Sequence, residues 1–255
     1  MKVIACYSNK GGVGKTATAV NLAYAFADDG LKVLLVDLDP QGASGFYFRV
    51  KPSKKLLKDA FFQDEKRFVK AIRGSDFSNL DLLPSNSSFR DFDLFLAQMK
   101  KSRSRLKKTL RTVESWYDLI VLDCPPNISK LSESIFATAD QIIVPVIPTT
   151  LSERTLDQLF DFFKENDYAK AKLTPFFSMV QSQKSLHKDT IARLSQSHRK
   201  RFLSTQVPFS ADIEKMGIHR APVATFAAFK PAAKAYGSLQ KEIRKRLLKS
   251  FKGPN

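Results

Sequence analysis

The chain has 255 residues, of which 43% are hydrophobic, and its formal net charge is +17. This length allows one sizeable core, and we interpret residues 1–255 as a single domain. Apolar runs stay well short of the roughly 20 residues of a membrane span, and Met1 leads directly into an apolar stretch. We therefore expect a cytoplasmic protein with no signal peptide and no stable membrane insertion.

The excess positive charge is concentrated near the C terminus, where residues 181–255 contain sixteen basic and four acidic side chains. This excess favours a polyanionic partner, because neutralised phosphates release their condensed counterions. A solvated basic face is the alternative. The two cysteines, Cys6 and Cys124, have neither metal-ligand spacing nor the density of a disulfide framework, so we expect buried, reduced thiols.

Apolar runs of strand length alternate with longer amphipathic segments along the chain. Runs that are continuously apolar are typical of strands buried on both faces, so the pattern predicts an α/β fold with a doubly wound, mostly parallel sheet and helices on both faces. We interpret the basic segment 100–111 as the solvated face of a helix. The predicted strands are 3–7, 33–36, 80–83, 119–122, 142–146 and 176–180.

A glycine-rich segment, Asn-Lys-Gly-Gly-Val-Gly-Lys-Thr at residues 9–16, follows the first predicted strand and precedes a helix-like segment at 17–27. Glycines let backbone N–H groups turn toward phosphate oxygens, and the helix presents its positive end to the same anion. Lys15 should reach the β and γ phosphates, and the Thr16 hydroxyl should bind Mg²⁺. The predicted nucleotide contacts here are Lys10, Gly11, Gly12, Val13, Gly14, Lys15, Thr16 and Ala17.

This loop departs from the usual phosphate-binding pattern, because Asn9 replaces the first glycine and Lys10 adds a second lysine. In both respects it resembles the deviant Walker A box of the ParA/MinD family. The resemblance implies a P-loop NTPase fold and a catalytic Lys10 that reaches the partner's nucleotide in an ATP-bound homodimer, much as an arginine finger does. A solvated loop lysine is the alternative. Many relatives carry a hydroxyl residue where this chain has Ala17, so we expect a backbone contact there.

Two aspartate sites follow predicted strands. The sequence Asp-Leu-Asp-Pro-Gln-Gly at residues 37–42 resembles a second box of the family, which implies that Asp39 positions or deprotonates the attacking water and that Asp37 supports Mg²⁺ through a water molecule. An ordinary turn is the alternative. The run ending in Asp123 resembles a Walker B strand, so we expect Asp123 to hold the Mg²⁺ shell, normally through water.

The resemblance extends to the C-terminal part of the chain. Gln181, Pro208 and Phe209 match positions near the adenine in relatives. Beyond them, we predict a basic C-terminal helix at about 231–250, which could pack on the sheet or lie on anionic lipid. Its apolar positions are Leu239, Ile243, Leu247, Leu248 and Phe251, and its basic positions are Lys241, Arg244, Lys245, Arg246, Lys249 and Lys252.

The second box favours a ParA-like protein over a MinD-like one. Relatives that resemble the nitrogenase iron protein need two cysteines from each subunit to hold a cluster between the subunits, and the positions of Cys6 and Cys124 oppose that function. We therefore expect an Mg²⁺-dependent ATPase that dimerises with ATP and binds non-specific double-stranded DNA of the nucleoid. A ParB-like or cargo-adaptor protein would stimulate its weak hydrolysis. The cargo could be a plasmid, a chromosome origin, a carboxysome or a chemoreceptor cluster.

The alternatives are a MinD-like membrane-associated positioning ATPase and, with less support, a metabolic P-loop enzyme. Candidate DNA contacts are Arg220, Lys230, Lys234, Lys241 and Arg244.

Overall fold

The computed structural model describes residues 1–198 and 201–249, the last two of them by their backbone alone. Its centre is an eight-stranded sheet with the order β3-β4-β2-β5-β1-β6-β7-β8. All pairs are parallel except β3 with β4, so the predicted doubly wound, mostly parallel sheet is confirmed. The strands are β1 (Lys2–Cys6), β2 (Val33–Asp37), β3 (Arg73–Gly74), β4 (Leu80–Leu83), β5 (Leu119–Asp123), β6 (Gln141–Val146), β7 (Leu173–Val180) and β8 (Gln206–Pro208).

Helices connect the strands and cover both faces of the sheet. They are α1 (Lys15–Asp28), α2 (Ala43–Tyr47), α3 (Lys58–Gln63), α4 (Glu65–Ala71), α5 (Phe92–Ala97), α6 (Arg105–Arg111), α7 (Lys130–Thr138), α8 (Thr150–Glu165), α9 (Ser185–Ser197), α10 (Ala211–Glu214), α11 (Met216–His219), α12 (Val223–Phe226) and α13 (Pro231–Lys249). Short 3₁₀ segments occupy Ser87–Asp91, Ser102–Ser104 and Lys170–Lys172.

Side chains alternate between the two faces of the central strands, and each face has its own apolar cluster. In β5, Ile120 and Leu122 pack with α3 to α8, whereas Leu119 and Val121 pack with α1 and α13. Both faces are therefore covered, which explains why the strands read as continuous apolar runs rather than alternating ones. Cys6 and Cys124 are free and buried, as expected.

The C-terminal helix α13 packs its apolar stripe into the core. Tyr236, Leu239, Ile243 and Leu247 are all at most 5% exposed and join the cluster that includes α1. Asp29, at the end of α1, accepts hydrogen bonds from Gln240 and Arg244, which fixes the two helices together. Of the two possibilities that the sequence left open, the structure shows packing on the core, through Leu247.

Residue 250, Phe251 and Lys252 lie outside the described residues, as do the side chains of Leu248 and Lys249. Among the residues that the structure describes, no helix is long and apolar enough to cross a membrane.

Replacing Ile243 with Ala should lower the free energy of unfolding by about 2–5 kcal/mol, because it leaves a cavity in a packed core. Urea denaturation measures this change. The exposed Lys241→Ala, two positions away, is the control and should change the same quantity by less than about 0.5 kcal/mol. An Ile243→Ala protein with unchanged stability but lost binding to anionic vesicles would instead make the stripe a membrane surface.

Candidate nucleotide-binding site

Three neighbouring strands deliver the predicted site residues to one edge of the sheet. In the parallel register, Asp123 of β5 lies beside both Cys6 of β1 and Asp37 of β2. The phosphate-binding loop follows β1, and Asp39 follows β2. The structure therefore brings the predicted phosphate, magnesium and water-positioning residues together at the carboxyl ends of the strands, where open α/β sheets bind ligands.

The loop before α1 is held in a shape that requires glycine. Gly12 and Gly14 have φ angles of 71° and 92°, which L side chains rarely adopt. Behind the loop, the Ser178 hydroxyl donates to the Val13 carbonyl at 3.0 Å. A Cβ on Gly14 would approach this hydroxyl to 3.3 Å. The loop and the N-terminal end of α1 thus form a preorganised cradle for an anion.

Lys15 is the central cation of this cradle. It is 7% exposed, and its Nζ donates to the carbonyl of Lys10 at 3.1 Å. Burial lowers the pKa of Lys15, whereas the nearby Asp123 and Asp39 act to raise it. A buried ammonium group gains strongly from a phosphate, because the ion pair forms where water does not screen it.

Asp123 is fully buried between two hydroxyl groups. Thr16 Oγ1 donates to its Oδ1 at 3.3 Å, and Ser44 Oγ donates to its Oδ2 at 2.8 Å. Burial raises the pKa of Asp123 to about 6, against the opposing effects of these two hydrogen bonds and of Lys15. Ser44 was not predicted from the sequence, since serines are frequent and only the fold places this one beside a carboxylate.

The residues around Asp123 fit Mg²⁺. A buried carboxylate and the Thr16 hydroxyl are oxygen ligands of the type that Mg²⁺ prefers. Within residues 1–198 and 201–249, no group of three or more His, Cys, Asp or Glu side chains could hold a metal ion by itself. Mg²⁺ would therefore depend on phosphate oxygens and water for the rest of its coordination shell, as it commonly does.

Asp37 and Asp39 differ in environment. Asp37 is 1% exposed, and its two oxygens accept the backbone N–H groups of Asp39 and Ser44, both at 3.1 Å. Burial, followed by the nearby Asp123, raises the pKa of Asp37. Asp39 is half-buried and accepts from the Gln41 N–H at 3.0 Å. Asp37 thus shapes the loop that carries Asp39, while its predicted link to Mg²⁺ through water stays a prediction.

Lys10 makes a contact within its own chain. Its Nζ donates to the Ser152 hydroxyl at 3.2 Å, near the start of α8, and Ser152 also lies 3.1 Å from the Thr149 hydroxyl. Lys10 is half-buried rather than solvated. Contact with a partner's nucleotide would require it to leave Ser152, and Ser152 is a second residue that the sequence did not point to.

The predicted adenine-contacting residues lie near one another after β7 and in β8. The backbone N–H of Phe209, which follows Pro208, donates to the Val180 carbonyl at 3.0 Å. The N–H of Gln181 donates to Nδ1 of the buried His187 at 3.1 Å. Burial lowers the pKa of His187, which favours the neutral ring that can accept this bond. The contact with adenine stays a prediction.

The five candidate DNA contacts fall into two groups. Lys230, Lys234 and Lys241 are exposed. Arg220 instead donates to the Phe46 carbonyl at 3.0 Å and lies 4.8 Å from the Phe46 ring centre, and Arg244 pairs with Asp29. These two arginines already have partners within the chain, so they are less available to phosphate than the sequence suggested.

The chain is similar to known proteins along most of its length. The family model described as AAA domain matches residues 1–174. The chain is 27% identical over 248 residues to the sporulation initiation inhibitor protein Soj of Bacillus subtilis strain 168, covering 95% of this chain and 98% of Soj.

Two solved structures extend this comparison. A protein of Borrelia burgdorferi B31 that is assigned to plasmid partition, solved bound to AMPPNP, is 25% identical with a TM-score of 0.79, covering 96% of this chain and 99% of that one. Cobyrinic acid a,c-diamide synthase of Mycobacterium smegmatis with ADP and magnesium is 23% identical with a TM-score of 0.80, covering 100% and 98%. The latter likeness shows the fold alone.

Replacing Ser44 with Ala should raise the Mg²⁺ concentration needed for half-maximal ATPase activity about tenfold or more, because Asp123 loses a charge-assisted hydrogen bond. An ATPase titration with Mg²⁺ measures this shift. The buried Ser134→Ala, in α7 and away from this edge, is the matched control and should leave the titration unchanged. Superimposable titrations of Ser44→Ala and the native protein would contradict the assigned contact.

Proposed function

Since this chain belongs to the AAA domain family and is a ParA/MinD-type ATPase, we propose that it is an ATP-dependent dimerising switch that positions or segregates cargo on DNA. The observation that carries the proposal is the arrangement of Lys10, Lys15, Asp39 and Asp123 at one edge of the sheet. The same arrangement gives each residue a separate task in binding and hydrolysing ATP.

ATP and Mg²⁺ are the cofactors, and the loop residues 10–17 hold the phosphates. Lys15 binds the β and γ phosphates, and Thr16 and Asp123 hold Mg²⁺. Bound Mg²⁺ neutralises charge on the β and γ oxygens. Asp39 is the candidate to orient the attacking water, because its carboxylate lies close enough to influence both Lys15 and Asp123 electrostatically. No other described carboxylate beside Lys15 has the same partial exposure.

A second copy of the chain is the proposed partner of this edge in the ATP-bound state. Three large apolar side chains follow the carboxyl ends of strands and remain exposed: Ile128 at 40%, Leu151 at 66% and Phe209 at 52%. We assign these side chains to the apolar part of the proposed interface. Release of Lys10 from Ser152 toward the partner's nucleotide would tie dimerisation to ATP.

Non-specific double-stranded DNA is the proposed surface to which the ATP-bound protein binds. The formal charge of +17 and the exposed Lys230, Lys234 and Lys241 suit phosphate contacts, which supply most of non-specific binding. In a dimer these lysines would occur twice, which strengthens a weak electrostatic site. We propose association with the nucleoid and a ParB-like or cargo-adaptor protein that stimulates hydrolysis. Plasmids, chromosome origins and protein assemblies are all compatible cargoes.

The MinD-like alternative depended on a membrane-binding C-terminal helix. In the structure, the apolar stripe of α13 is buried through Leu247 and cannot also insert into lipid. We therefore favour DNA over the membrane as the surface on which the protein acts.

The proposed function is tested by binding to random-sequence duplex DNA and, in parallel, to anionic vesicles, each with ATP and with ADP. We expect salt-sensitive DNA binding that requires ATP, and little vesicle binding. Binding to vesicles with ATP, but not to DNA, would contradict the proposal and support the membrane alternative.

Lys15→Ala should abolish nucleotide binding, because the buried phosphate cradle loses its central cation. A fluorescent ATP analogue measures the affinity, and Lys188→Ala, an exposed lysine in α9, is the control that should bind normally. If Lys15→Ala bound the ATP analogue with native affinity, the assignment of this site to ATP would be wrong.

Asp39→Ala should form ATP-dependent dimers that turn over very slowly, because nucleotide binding survives and water positioning does not. Sedimentation measures the dimer and phosphate release measures turnover. Asp161→Ala, an exposed aspartate in α8, is the control for loss of one acidic charge. Normal turnover by Asp39→Ala would refute its catalytic role.

A further inference from the structure

The end of β7 leads into the residues that the sequence places near adenine, and its backbone is held from several sides. The Ser178 hydroxyl donates to the Val13 carbonyl of the phosphate-binding loop at 3.0 Å. Two residues later, the Val180 carbonyl accepts from the Phe209 N–H. Between them, Met179 has a φ of 54°, which residues other than glycine rarely adopt. Backbone strain of this kind persists where surrounding contacts determine the conformation, and it concentrates at functional sites.

Gln181 follows this strained strand end, and both of its backbone polar groups are bonded within the chain. Its N–H donates to Nδ1 of His187 at 3.1 Å, and its carbonyl accepts from the Lys184 N–H at 3.1 Å. These two bonds fix the backbone of Gln181. They leave its side-chain amide as the group of this residue that can recognise a base.

His187 can accept the Gln181 N–H only as a neutral ring. A backbone N–H group can only donate, so Nδ1 must carry no proton and the proton of the neutral ring must lie on Nε2. The residue lies in the first turn of α9 and is 4% exposed, so water cannot easily replace the bond. A protonated ring carries N–H on both nitrogens and would set two donors against each other. The protonation state of His187 therefore decides whether the Gln181 backbone is held.

The surroundings of His187 favour the neutral ring. Burial lowers the pKa of His187, and the positive charge of Lys184 lowers it further. Neither β7 nor the segment 206–210 contains an ionisable side chain. In α9, the charged neighbours of His187 are exposed: Lys188 and Asp189. The carboxylates of α8 that face α9 contact residues further along that helix, in the pairs Glu153–Arg193 and Asp157–His198.

We propose that neutral His187 is a positioning residue for adenine: it holds Gln181 in place to receive the base, and protonation of His187 weakens ATP binding. This inference rests on the proposed ATP switch and adds a proton-sensitive residue to its base-binding side. His187 acts through Gln181, whereas Lys15 and the glycine-rich loop hold the phosphates. A fall in pH would therefore loosen the base side and lower the fraction of protein in the ATP-bound state.

The experiment measures the affinity of the full chain, with Mg²⁺, for an ATP analogue that carries its fluorescent label on the ribose. His187→Ala should weaken binding about tenfold at about pH 8, because a buried N–H loses its acceptor. His187→Asn should restore the affinity, since the asparagine Oδ1 is joined to Cβ through Cγ as Nδ1 is and can accept the same bond. His198→Asn, at the other end of α9, is the matched control and should bind as the native chain does.

A pH titration separates positioning from a general loss of stability. Between about pH 8 and about pH 5, on either side of the ordinary histidine pKa, native affinity should fall more steeply than that of His187→Asn, which takes up no proton there. Burial raises the pKa of Asp123 to about 6, and phosphate groups titrate in the same range, but both effects are common to the two proteins. The ratio of the two affinities therefore reports on His187.

Ring ¹H–¹⁵N spectra of the nucleotide-free native chain give a readout that does not depend on binding. They should show His187 with its proton on Nε2 at neutral pH and with a pKa below that of an exposed histidine. These spectra and the His187→Asn titration decide the proposal even if His187→Ala does not fold.

Three results would overturn this proposal and leave the ATP site in place. The first is native affinity in His187→Ala. The second is parallel pH profiles for the native chain and His187→Asn. The third is a His187 ring that carries its proton on Nδ1 at neutral pH. A native chain that binds no ATP analogue at any pH would instead overturn the proposed function, and this inference with it.

Discussion

The parallel register of β1, β2 and β5 is the constraint on which the whole site depends. Because of this register, the three strands end side by side at one edge of the sheet. Asp37, Asp123 and the loop after Cys6 therefore lie next to one another. A shift of one residue in β2 or β5 would turn its carboxylate toward the opposite face of the sheet. The apolar clusters on both faces fix the register, because each strand is buried on both sides. Packing of the core therefore determines the geometry of the catalysis.

Burying the charged side chains of this site costs electrostatic free energy. Asp37 and Asp123 are buried next to each other, and burial raises the pKa of both. Lys15 lies beside them, and its pKa is lowered by burial. Hydroxyl and backbone N–H groups compensate part of this cost, with Ser44 contributing one of each. In the proposed function, bound phosphate would supply the counter-charge to Lys15, and bound Mg²⁺ would supply the counter-charge to the buried carboxylates.

The sequence predicted the architecture and the position of the glycine-rich loop well, because both depend on local patterns. Six strands were evident as apolar runs, and the glycine-rich loop lies between a strand and a helix as expected. Strands β3 and β8 were missed, since they contain two and three residues and have exposed positions. The helix after the loop begins at Lys15, earlier than predicted, because the loop's last turn is already helical.

Residues that act through long-range contacts could not be predicted. Ser44, Ser152 and His187 have no sequence motif, and only the fold brings them to Asp123, Lys10 and the Gln181 loop. The same limit applies to charge. A composition cannot distinguish Arg244, which pairs with Asp29, from Lys241, which stays exposed in the same helix.

Lys10 gives the most direct test of the account, because it donates to Ser152 of its own chain but is assigned to a partner's nucleotide. The measurement is the ATPase activity of Lys10→Ala mixed with Asp39→Ala, each inactive alone. In a mixed dimer, the site that retains Asp39 receives the intact lysine from the other protomer. We expect recovery of about one quarter of native activity, since half the dimers are mixed and each has one complete site. No recovery, with mixed dimers verified, would show that Lys10 acts within its own chain and would contradict its assignment to a partner's nucleotide.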